Sequence, residues 1–169
     1  MGGLIAVRYA QRFPESIDGL IPHGASFRLA LEVPKVKAAL GNLMSGLWPG
    51  LTLANEVDPK VLSHDPEAVK AYLADPLVHD RISTRLFTEI MANMAEANAH
   101  AGVIAMPLLV IHGGADRLTH PEGSRAFYDA AASHDKTLKM FDGLYHETFH
   151  ELDKEKVLET LREWLAARA

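Results

Sequence analysis

Apolar residues recur near helical spacing at the start of the chain. Leu4, Ile5, Tyr9, Ala10 and Phe13 share one side, and Pro14 ends the run, which predicts a helix over 4–13 behind Gly2-Gly3. Ile17–Ile21 (IDGLI) is short, apolar and followed by turn residues, the mark of a buried strand. Residues 25–80 lose this regularity. Pro34, Gly41, Gly46, Pro49, Gly50, Pro59, Pro66 and Pro76 cut them into short apolar pieces, which predicts short helices and turns rather than sheet. Asp65-Pro66-Glu67 starts one of these helices: Asp caps, Pro takes the first turn and Glu favours the positive end, with the helix running to about Leu73. A longer helix is predicted over 82–100, with Ile82, Leu86, Ile90 and Met94 on one stripe.

The last third is regular. Pro107–His112 (PLLVIH) predicts a buried strand ended by Gly113-Gly114, then a helix over 121–132. A strand over 138–141, a turn at Asp142-Gly143 and a helix over 154–167 follow, with Val157, Leu158, Leu161, Trp164 and Leu165 facing inward. The order helix, strand, helical insert, helix, strand, helix, strand, helix predicts the α/β class, with a parallel sheet and right-handed crossovers. From Ile21 to Pro107 is 86 positions. A plain βαβ unit needs only about 30, so roughly 50 residues are surplus. They are expected to form a helical cap at 25–80, over a body made of 1–24 and 81–169.

The length, 169 residues, suits one domain. Apolar residues make up 48% and charged residues 23%, an ordinary globular balance that argues against a disordered chain. A net charge of −5 argues against a nucleic-acid partner. No cysteine is present, which excludes disulfides and thiolate metal sites and fits a cytoplasmic protein. The first ten residues lack a basic stretch before the apolar one, and Ala6 stands where a myristoylation signal needs Ser or Thr. No stable membrane insertion is expected.

Asp116 and His146 are the leading candidates for chemistry. Asp116 follows the strand PLLVIH and His146 follows the strand over 138–141, so both belong at carboxyl ends of adjacent strands, where open α/β sheets place ligands. A carboxylate there fixes the imidazole tautomer while the other ring nitrogen acts as base. A serine partner is not found in a Gly-x-Ser-x-Gly elbow: Ser16, Ser26, Ser45, Ser63, Ser83, Ser124 and Ser133 all lack the paired glycines. Met1-Gly2-Gly3 ahead of an apolar helix has the form of the second half of such an elbow. A rival pattern overlaps the site: His146-Glu147-Thr148-Phe149-His150 matches the HExxH zinc-peptidase signature, but it follows a turn rather than lying inside a long helix. Leu43, Met44, Leu47, Trp48, Leu51 and Leu53 crowd the cap. Most are expected to pack the cap onto the body. Leu43, Met44, Leu47 and Trp48 are the candidates for an acyl pocket.

Four segments together resemble the α/β-hydrolase superfamily, in its branch of monoacylglycerol lipases, lysophospholipases and serine-aminopeptidase-like hydrolases. They are MGGLIAVRYAQRFPESIDGLI, LSHDPEAVKAYLADPLVH, PLLVIHGGADRLTHPEGS and DGLYHETFHE. The first is similar to the segment after the nucleophile, usually GHSMGG. The resemblance implies a Ser–Asp–His carboxylic ester hydrolase without cofactor or metal, acting on a small-molecule lipid ester. By position it makes Asp116 the catalytic acid, His146 the base and the Met1 backbone N–H one oxyanion-hole donor. It also implies that the nucleophile and the strand before it fall ahead of Met1. A truncated chain, inactive as given and prone to self-association through an exposed sheet edge, is then expected. A non-catalytic pseudoenzyme or binding module is the competing reading, and the zinc peptidase a third.

Overall fold

The computed structural model describes residues 1–30, 33–55 and 57–168. Leu31, Glu32 and Glu56, inside the expected cap, and Ala169 lie outside the described residues. In chain order the elements are α1 (Gly2–Arg12), α2 (Lys35–Leu47), β1 (Thr52–Ala54), α3 (Pro66–Ala74) and β2 (Arg81–Ser83). Then come α4 (Thr84–Ala99), β3 (Leu108–Gly113), α5 (Pro121–Ala130), β4 (Lys136–Phe141) and α6 (Lys154–Ala166).

The body is an α/β arrangement around β3, which pairs in parallel with β4 from Leu108↔Lys136 to Gly113↔Phe141. All six residues of β3 are buried. Alternation explains the unbroken apolar run. Leu108 and Val110 join the core made with Leu4, Val7, Met94, Ala97 and Phe127 of α1, α4 and α5, while Leu109 and Ile111 join Val157 and Trp164 of α6 on the other face. On α1 the buried positions are Leu4, Val7 and Ala10; Ile5 and Tyr9 face outward. On α6, Leu165 is exposed rather than inward.

Residues 20–24 form a third parallel segment beside β3, shifted from the predicted 17–21. The Leu20 N–H donates to the Pro107 carbonyl, the Leu109 and Ile111 N–H groups donate to the Leu20 and Pro22 carbonyls, and the Gly24 N–H donates to Ile111. The rung that Pro22 would supply is missing because proline has no N–H, so only the isolated bridges Leu20↔Leu108 and His23↔Ile111 remain.

Above the body, α2 packs against α4, with the Ser45 and Thr88 hydroxyls 2.9 Å apart. The expectation of no sheet in this region is corrected: β1 and β2 pair antiparallel, and the Arg81 guanidinium donates to the Thr52 carbonyl at 2.7 Å. α3 starts where predicted, the Asp65 carboxylate accepting from the Glu67 N–H at 2.9 Å. α4 starts two residues later than predicted because the Ser83 hydroxyl caps it, accepting from the Leu86 N–H at 3.1 Å. The packing expected of the cap residues is also corrected: Leu43, Leu47 and Trp48 are 58%, 73% and 62% exposed. Among the described residues, no helix is long and apolar enough to cross a membrane.

Candidate active site

Four pieces of chain converge beyond the carboxyl ends of the parallel segments: the first turn of α1, the turn 23–25, the loop 114–120 after β3 and the loop 142–151 after β4. Glycine makes two of these approaches possible. A Cβ on Gly113 would overlap the Tyr145 carbonyl oxygen, so only glycine lets the second loop cross the end of β3. Gly24 has φ +51°, and a Cβ there would sit 3.1 Å from His146 Cε1. The backbone of Gly24 is thus the floor beneath the imidazole.

Asp116 and His146 meet. His146 Nδ1 lies 2.7 Å from Asp116 Oδ2. A carboxylate only accepts, so Nδ1 carries the proton and Nε2 is the basic nitrogen. The Asp116 side chain is wholly buried and saturated with donors. Oδ1 accepts from the Leu118 and Thr119 N–H groups at 2.8 and 3.0 Å. Oδ2 accepts from the Thr119 hydroxyl at 2.8 Å and from His146, and lies 3.1 Å from His112 Nε2. Burial alone would raise this carboxyl, but the His112 and His146 bonds and the Thr119 amide outweigh it and hold it far below the usual carboxylate range. It stays ionised throughout the physiological range. The His146 side chain keeps 17% of its surface open, so the imidazole is reachable while the carboxylate is sealed.

His112 escaped the reading of the sequence. It lies on β3 with no exposure, and its Nε2 faces two acceptors, Asp116 Oδ2 and the Thr119 carbonyl at 3.1 Å. Nε2 therefore carries the proton, and Nδ1 accepts from the Ser124 hydroxyl of α5 at 2.7 Å. The available signal was a histidine ending an otherwise apolar strand, since a buried imidazole needs partners at both nitrogens. His23 is a second such residue. Its Nε2 is 2.8 Å from the Thr148 hydroxyl and its ring leans on Phe149. Burial, with smaller contributions from His146 and His112, lowers it to about 4 against the opposing pull of Glu147 and Asp116.

Met1 precedes α1, and its carbonyl accepts from the Leu4 and Ile5 N–H groups. The first turn of α1 lies against the turn 23–25: a Cβ on Gly3 would sit 2.9 Å from Ala25 Cβ and 3.0 Å from the His23 carbonyl oxygen. Leu43, Leu47 and Trp48, at the end of α2, are exposed and Met44 is half-buried. The HExxH residues do not share a helix. Only Thr148–His150 form a 3-10 turn, His146 is engaged with Asp116, and His150 Nδ1 is 3.2 Å from Glu147. Among the described residues no group of three or more His, Asp and Glu is gathered to hold a metal ion.

Comparison with known proteins agrees with this architecture. The sequence profile of the family described as serine aminopeptidase, S33, matches residues 1–153. The chain belongs to this family of α/β hydrolases. It is 34% identical over 168 residues to a monoacylglycerol lipase of Mycolicibacterium smegmatis, covering 99% of this chain and 60% of that protein. It is 32% identical over 177 residues to a caffeoylshikimate esterase of Arabidopsis thaliana, covering 98% of this chain and 52% of that protein. The crystal structure of the Paleococcus ferrophilus monoacylglycerol lipase superposes with a TM-score of 0.94 at 39% identity, over 99% of this chain and 65% of the other. The chain thus spans about three-fifths of the length of the lipases it matches.

Proposed function

We propose that the protein hydrolyses carboxylic esters, with monoacylglycerols or lysophospholipids as the substrate class, through a Ser–His–Asp relay. The observation that carries this reading is the 2.7 Å bond between a sealed, ionised Asp116 and the Nδ1 of a reachable His146. His146 Nε2 takes the proton of an attacking seryl hydroxyl, and Asp116 stabilises the imidazolium that forms. The positive end of α1 suits the oxyanion of the tetrahedral intermediate, with the Met1 N–H as one donor. Water then releases the acyl group, with His146 as base again. The two lipase relatives support an acylglycerol substrate, and the plant relative supports ester chemistry with a wider choice of alcohol.

None of the seven serines has the elbow glycines, so the attacking hydroxyl is found by experiment. A fluorophosphonate probe, followed by mass spectrometry of the labelled peptide, identifies it. Reading the coding sequence ahead of Met1 for an in-frame Gly-x-Ser tests whether the hydroxyl is encoded there. Asp116→Asn is expected to keep the fold and to lower kcat/KM on a monoacylglycerol about 10⁴-fold, because the imidazole is then held in the wrong tautomer. Absence of labelling and of fatty-acid release from a form that carries an in-frame Gly-x-Ser ahead of Met1 would favour the non-catalytic reading instead.

A further inference from the structure

The loop that carries His146 is tied to the cap through one buried carboxylate. Glu151 is 1% exposed. Its Oε1 accepts from the Tyr145 N–H at 2.7 Å and from His64 Nδ1 at 2.9 Å, and its Oε2 accepts from the His64 N–H at 3.0 Å. Two further bonds join the same stretches: the Glu147 N–H donates to the Leu62 carbonyl at 2.9 Å, and the Ser63 hydroxyl donates to the His150 carbonyl at 2.8 Å. The amides on both sides of His146 are therefore fixed by residues 62–64 and by Glu151, not by the sheet.

The rings repeat the connection. His64 stacks on Tyr145 with centroids 3.7 Å apart, and Arg117, the neighbour of Asp116, lies over the same Tyr145 ring at 5.4 Å. Burial would raise the Glu151 carboxyl, but the Tyr145 amide and the His64 ring and amide outweigh it and hold it below the usual range. It is an ionised, acceptor-only group facing three donors. A pin for the loop alone would need the Tyr145 bond and no more. The two bonds to His64 reach a residue 87 positions away, immediately before Asp65 caps α3.

We infer that Glu151 and His64 are positioning residues that fix the His146 imidazole and couple its orientation to the cap segment 62–65. Neither touches the reacting atoms. Both act through the Tyr145 amide, while the Leu62 carbonyl holds the Glu147 amide. The inference rests on the hydrolase reading above for its kinetic consequence, but not for its structural one.

Two readouts test it in the intact protein. The far-downfield proton resonance of the His146 Nδ1–H bond to Asp116 reports orientation without turnover, and ester kinetics report its consequence. Glu151→Gln keeps the shape but turns an NH₂ group toward N–H donors. His64→Phe keeps a ring on Tyr145 and removes only the side-chain bond; its site is 43% exposed, so this variant is the safer fold. Glu151→Gln is expected to broaden or abolish the resonance and to lower kcat about 10- to 100-fold with KM little changed. His64→Phe should do the same to a smaller degree. A sharp, unmoved resonance in folded His64→Phe and Glu151→Gln would overturn the inference. If Glu151→Gln does not fold, His64→Phe decides alone. If a form carrying an in-frame Gly-x-Ser ahead of Met1 turns over no ester, the hydrolase reading fails and the resonance still decides the strap.

Discussion

The loops at the ends of β3 and β4 and the helix α2 follow opposite rules. In and beside the loops, polar side chains are buried and partnered: Asp116, Thr119 and Glu151, with His112 near the end of β3, are each no more than 5% exposed and each is hydrogen-bonded. On α2, apolar side chains face outward: Val36, Leu40, Leu43 and Leu47 are 79%, 57%, 58% and 73% exposed and follow one another at i, i+4, i+7 and i+11. The loops have spent their freedom on one arrangement, because a buried polar atom without a partner costs about 1–3 kcal/mol. The α2 face contributes little to the packing of this chain and is free to vary. In the hydrolase reading the buried polar loops carry the chemistry, and the exposed α2 face, with the acyl-pocket candidates Leu43 and Leu47, is proposed to bear on substrate choice.

The sharpest way to break the contrast is to strike the floor under His146. Gly24→Val places a branched side chain at positive φ and against the imidazole. It should cost about 4 kcal/mol in a denaturant titration, from backbone strain and overpacking together, and should abolish ester turnover. Wild-type stability in this variant would show that the turn relaxes and that the floor is soft.

Acid should loosen the rigid region first. His23 is held at about 4 in the folded protein against 6.5 in the unfolded chain. The unfolded chain therefore takes up a proton that the folded one refuses. The contribution is whole above about pH 6.5 and is lost as pH falls toward 4, a change of about 3 kcal/mol. The depressed carboxyl of Asp116 works in the same direction lower down: its contribution is present above the ordinary carboxylate range and is lost as pH falls through it and below. Urea midpoints should hold from pH 7.5 to about 6.5 and then fall toward pH 4.5, and His23→Phe should flatten that fall. An equal slope in the variant would remove His23 from the account.

The smallest effect is expected on α2. Leu43→Gln and Leu47→Gln should each change stability by no more than about 0.5 kcal/mol, as exposed substitutions do, while raising KM for a long-chain acyl ester more than for a short one. A loss of stability of core size would mean that this face is covered by other parts of the protein.

Asp116 and His146 were legible because each follows a strand-like run and a turn, and a parallel sheet brings such loops to one rim. Their proposed roles came from the pairing at that rim and then from resemblance, since neither residue alone separates a catalytic group from a turn cap. The shift of the first strand was legible in principle from Pro22, whose missing N–H breaks the ladder. The β1–β2 pair was not: its strands are three residues long and β1 is exposed throughout, so no alternation marks it.

The chain's hydrophobic order alone determined the class of fold. An unbroken apolar run at 107–112 has no stable place except a strand covered on both faces, and the alternation of elements around it leaves few topologies. Which buried polar groups serve one another was decided only by the tertiary structure. His112 needs Ser124 on α5, Glu151 needs His64 across 87 positions, and Gly24 matters because an imidazole from a distant loop rests on it. Such partnerships are enforced by desolvation and by contact at atomic distance, and neither quantity is defined until the chain has closed on itself.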